Sequence, residues 1–130
     1  MYTRNKFIWG RIIMDYKTIM ENIKKENGEV PKPIQVLGAL DESIVINHMM
    51  DKKFVMSKEA IPQKYKALML LSATIALDSQ TCIMNNTKMA KKSGATVEEI
   101  MEVFSIAKFA KAATALSSST PAFEWLLENK

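Results

Sequence analysis

The chain has 130 residues, a net charge of +4 and 48% apolar residues; that suits one globular domain with a real core and excludes a disordered chain. Low Gly and Pro content, four of each, favours long helices over a turn-rich β architecture, and ten Met read as helical core filler, with a Met-lined pocket or partner surface as the alternative. The lysines alternate with acids and arginine is scarce, which is not the dense basic footprint of a nucleic-acid binder; the one cysteine and one histidine exclude an internal disulfide, a Cys-x-x-Cys pair and a Cys-rich zinc site, so no metal and no cofactor is expected.

Ile8, Trp9, Ile12, Ile13, Tyr16, Ile19, Met20 and Ile23 recur at 3–4 spacing and predict one amphipathic helix. It is expected to start near Asn5 and to stop at Gly28. Met14 offers an alternative start, which would make residues 1–13 an N-terminal extension. The same stretch has no continuous apolar core and no small-residue cleavage site, so it is a poor signal peptide. No apolar run approaches the ~20 residues of a membrane span, and the cytoplasm is the expected compartment.

"GEVPKP" is a linker, followed by a short helix over about 34–40. Asp41 is placed to cap a helix over about 42–54. "SIVIN" within it is β-branched enough for a strand, but no partner strand exists in the sequence. Pro62 suits a first helical position, and the helix it opens, to about residue 77, is apolar on all sides after its first turn. Such a helix belongs in the centre of a domain or of an oligomer. Asp78 or Ser79 is expected to cap the next helix, which ends at Gly94. "TVEE" is a capping box of Thr96 and Glu99. The Ala-rich helix after it carries acids early and lysines late, matching the helix dipole. "SSST" ends it, and Thr120 and Pro121 open a last short helix with Phe123, Trp125, Leu126 and Leu127. The sum is a single all-α domain, 1–130, of six or seven helices.

The phrases "ENGEVPKPIQVLGALDES" and "IPQKYKALMLLSATIALDSQTCIMNNTKMAKKSGATVEEIMEVFSIA" resemble the carboxymuconolactone decarboxylase-like family, which includes the alkylhydroperoxidase D-like proteins. The resemblance covers about residues 15–118, the core of the domain. "A-x3-GAT-x-EEI", here Ala90 to Ile100, is its most specific phrase. The resemblance implies a multi-helical fold and, in the peroxidase branch, a Cys-x-x-Cys-x3-His motif with a Glu on the preceding helix. There a thiolate attacks the hydroperoxide, a second thiol resolves the sulfenic acid, and Glu and His move protons. Residue by residue, the first Cys position is Ser79, the second is Cys82, the His position is Asn86 and the Glu position is Ala67. Asn cannot titrate and Ser cannot form a disulfide. The decarboxylase branch keeps a His on this helix, so Asn86 tells against that chemistry too.

Three functions follow. The first is a family member without the two-Cys relay, serving as a small-molecule-binding or scaffold oligomer. Its cavity would be lined by Met69, Ser72, Met84, Asn86 and Phe104. The second is a one-Cys thiol-dependent hydroperoxide reductase, with Cys82 as nucleophile and Ser79 and Asn86 as hydrogen-bond donors. The third is a cofactor-free decarboxylase or isomerase of a lactone. The bland reading of Cys82 is a small buried hydrophobe. His48 reads as a surface or interface residue. The partner expected first is a second copy of the chain, because one 130-residue subunit has more apolar helix surface than it can cover; that the copies form a ring, a trimer or a hexamer, is what the resemblance implies.

Overall fold

A computed structural model describes residues 15–130, in which every regular element is an α-helix. They are α1 (Tyr16–Asn27), α2 (Lys32–Leu40), α3 (Glu42–Ser57), α4 (Gln63–Ala76), α5 (Gln80–Lys92), α6 (Val97–Ser118) and α7 (Thr120–Glu128). The all-α expectation holds. The chain divides into two compact units, one ending at Lys58 and one beginning at Glu59.

In the first unit, α1 starts at Tyr16 because Asp15 adopts extended backbone and its carboxylate accepts the Thr18 N–H at 2.8 Å. The expected start near Asn5 and the apolar positions 8–13 lie outside the described residues. Gly28 ends α1 at φ 82, its N–H bonded to the Lys24 carbonyl at 2.8 Å. That left-handed conformation is one glycine adopts without strain. Asp41 caps α3, accepting both the N–H and the hydroxyl of Ser43 at 2.9 and 2.6 Å. These two bonds, the hydroxyl's first, hold the Asp41 carboxyl below its ordinary value of 3.8. With this cap in place "SIVIN" is helical, and α3 runs three residues past the expected end. Ile19 and Ile23 of α1 meet Val45 and Ile46 of α3 in the core, with Ile34 of α2 packed against them. Gly38 of α2 is buried; a Cβ there would collide with the hydroxyl and ring of Tyr16.

In the second unit, α4 packs against both α5 and α6. Pro62 stands one residue earlier than expected, in the cap position with extended backbone. The core is made of Ala67, Leu68, Ala90 and Ala95, flanked by Met89, Ile100 and Val103. Leu71 and Ala107 are each 1% exposed. The helix expected to run to Gly94 stops at Lys92; Gly94 turns at φ 92 and the Ala95 N–H closes on the Ala90 carbonyl at 3.0 Å. Thr96 caps α6 as expected, accepting the Glu99 N–H at 3.1 Å. The Glu99 carboxylate instead bonds Lys64 of α4, Nζ to Oε1, at 3.1 Å. No helix among the described residues is long and apolar enough to cross a membrane.

Candidate functional site

The residues at issue lie on the α4–α5 hairpin, inside the second unit. The turn that makes this hairpin was not legible in the sequence. Asp78 has φ 58, a left-handed conformation more usual for Gly or Asn at a helix end. It lets the last turn of α4 close on itself: the Leu77, Asp78 and Ser79 N–H groups bond the carbonyls of Ala73, Ile75 and Thr74 at 3.0–3.2 Å. The Asp78 carboxylate is taken by Lys111 of α6. Asp78 therefore fastens the hairpin to α6 and does not cap α5. Ser79 holds the cap position by its backbone alone, with no side-chain hydrogen bond to the helix. The capping expectation is corrected to that extent.

Cys82 is the third residue of α5. It is exposed and in no disulfide, so the expectation of a small buried hydrophobe fails. Ser79 is half-buried and Asn86 is half-buried. Ser79, Cys82 and Asn86 share a helix face by spacing, but no hydrogen bond joins Cys82 to either of the others.

Asn86 turns toward α4. Its carboxamide nitrogen donates to Thr74 Oγ1 at 3.2 Å and to the Leu70 carbonyl at 3.4 Å. Thr74 in turn donates to the carbonyls of Leu70 and Leu71 at 2.9 and 3.1 Å. The amide thus clamps α5 to α4 across an otherwise apolar contact. Thr74 was missed in the sequence, although a lone threonine in an apolar helix was a visible signal. Ala67 is fully buried in the alanine core. No carboxylate occupies that place, and close packing leaves little room for one. His48 is exposed on α3 of the other unit.

Of the residues expected to line a cavity, Met69, Ser72, Met84, Asn86 and Phe104, one lies in the depression beside α5. Met84 lines an open depression of about 320 Å³ with Asp78, Gln80, Ile83 and Thr87. None of the other four residues belongs to it, and Met69 is 56% exposed. Among the described residues no group of three or more metal-ligating side chains is assembled.

The structure defines a class: an all-helical protein whose central hairpin carries one exposed thiol and a structural amide. The family follows from the sequence profile of the carboxymuconolactone decarboxylase family, which matches residues 46–125. The match covers more than half of the chain, and the protein belongs to that family. It begins inside α3 and ends inside α7. No curated protein matches the chain.

Proposed function

We propose that this protein is a member of the family without the two-thiol peroxidase relay, and that it serves as a self-associating helical scaffold able to take a small molecule on its surface. The observation that carries this reading is Asn86. At the position where the resemblance implies a titrating His, this chain has an amide committed to Thr74 and Leu70 of the neighbouring helix. A group spent on holding two helices together and unable to ionise moves no protons. With Ala67 closed into the core, the hairpin has neither a base nor a second thiol.

The exposure of Cys82 favours one alternative, a one-Cys hydroperoxide reductase. The thiolate would attack the distal peroxide oxygen, break the O–O bond and leave a sulfenic acid and an alcohol. An external dithiol would then return the thiol, giving a disulfide and water. The experiment is turnover of an organic hydroperoxide with an external dithiol, comparing wild type with Cys82→Ser. Equal consumption in the two supports the scaffold reading. Catalytic turnover lost in the serine variant would overturn it.

A further inference from the structure

We infer that the groove between α1 and α3 is a binding site for a small alkyl carboxylate, with Lys52 and Lys53 holding the charged head; this rests on the small-molecule part of the reading above and names the ligand class and its place. The groove lies wholly within the first unit and has an open volume of about 190 Å³. Helix α1 supplies Ile19 and Ile23 to its floor and Asn22 and Glu26 to its rim. Helix α3 supplies Met49, Lys52, Lys53 and Met56. Both sets follow the spacing i, i+3, i+4, i+7, which shares one helix face. The groove therefore runs along two turns of each helix, about 10 Å.

Floor and rim differ in chemistry. Ile19 and Ile23 are 1% and 5% exposed and close the floor. Met49 and Met56 are half-buried and stand one turn to either side of the lysines. Their flexible thioethers adapt to an unbranched chain. The lysines are exposed; their stems cover apolar surface while the ammonium groups stay in water. Among the described residues neither Lys52 nor Lys53 is in an ion pair. Glu26, the acid in this lining, already has an interaction of its own.

The ligand class follows from what each part can take. Two neighbouring ammonium groups repel, and an anion between them offsets that repulsion. Asn22, on the opposite wall, offers an amide donor to the same head. The isoleucine floor and the methionines take an apolar tail. The larger depression beside α5 differs in this respect: its lining has no cation, and its charged member, Asp78, is an acid. It has nothing to hold an anion. An open groove of this size binds weakly, with Kd on the order of 1 mM.

Titration of hexanoate into the isotope-labelled protein at about pH 7, where the acid is ionised and the lysines are charged, tests this through the amide chemical shifts. Saturable shifts on α1 and α3 are expected, with Kd raised roughly fivefold in Lys52→Gln/Lys53→Gln. Hexylamine, the same tail with the opposite charge, and acetate, the same head without the tail, should not saturate α1 and α3 at the same concentrations. Equal affinity in wild type and the folded double variant would overturn the role of the lysines. Equal binding of hexylamine would overturn the ligand class, and that comparison needs no variant. Hexanoate shifts confined to α5 would overturn the groove and leave a small-molecule surface standing. No saturable shift anywhere would overturn both. The hydroperoxide assay above is independent of all these outcomes.

Discussion

In the first unit, Ile19, Ile23, Val45 and Ile46 fill the space between helices. In the second, Ala67, Ala90, Ala95 and Ala107 line it, with Leu68 and Leu71 as its large members. Alanine interiors let helices approach closely, and they use up the positions where large side chains could be hidden. The large apolar residues of the second unit accordingly stand outside: Met69, Phe109, Leu116 and most of α7 are more than half exposed. The first unit buries its β-branched residues, although Leu40 and Phe54 are 80% and 61% exposed. The second builds its interior largely from alanine and turns more of its bulk outward.

The contrast can be broken by changing side-chain volume in opposite directions. Ile19→Ala removes bulk from a site that is 1% exposed and is expected to cost about 2–5 kcal/mol in chemical denaturation. Ala90→Leu adds bulk at a site with no exposure and should cost about 1–3 kcal/mol by overpacking. If the leucine were accommodated without loss, the alanine core would be loose and the contrast would fail. Asn86→Ala removes the clamp between α4 and α5 and should cost about 1 kcal/mol, with hydroperoxide consumption unchanged. A fall in consumption would return Asn86 to chemistry.

The smallest effect concerns pH. The Asp41 carboxyl titrates lower in the folded protein than its ordinary 3.8 because Ser43 bonds its charged form. The stabilisation is therefore present above that ordinary value and lost as pH falls through the lowered one. Asp41→Asn keeps an N-cap acceptor and removes the titration. Between about pH 5 and pH 2 the thermal midpoint of wild type should fall more than that of the variant. Parallel curves would show that the cap bonds do not depend on the charge.

Much of the fold was legible because helix ends are local chemistry. Asp41, Thr96 and Gly28 each act within three or four residues of themselves, and each marks the helix end that the sequence indicated; Gly94 stands two residues past the end of α5. Asp78 was not legible. It occupies a left-handed position without being glycine, and its carboxylate goes to Lys111, thirty-three positions away. The start of α1 was misplaced because an apolar stripe says nothing about where backbone turns, and Asp15 turns it. Of the candidate site, the substitutions at 67, 79 and 86 could be read from alignment with the family's pattern. What those side chains do in this structure could not. The Asn86–Thr74 clamp spans two helices, and the exposure of Cys82 depends on how α5 rolls against α4.

Gly38 has a consequence for how this sequence can vary. It is a helical glycine in a place where alanine would ordinarily favour the helix by about 1 kcal/mol, and the ring and hydroxyl of Tyr16 fill the room its side chain would need. The two positions are therefore epistatic. Gly38→Ala alone requires Tyr16 to move from the place its ring and hydroxyl hold, and Tyr16 also packs on the core of the first unit. The change at position 38 is therefore tied to what stands at position 16.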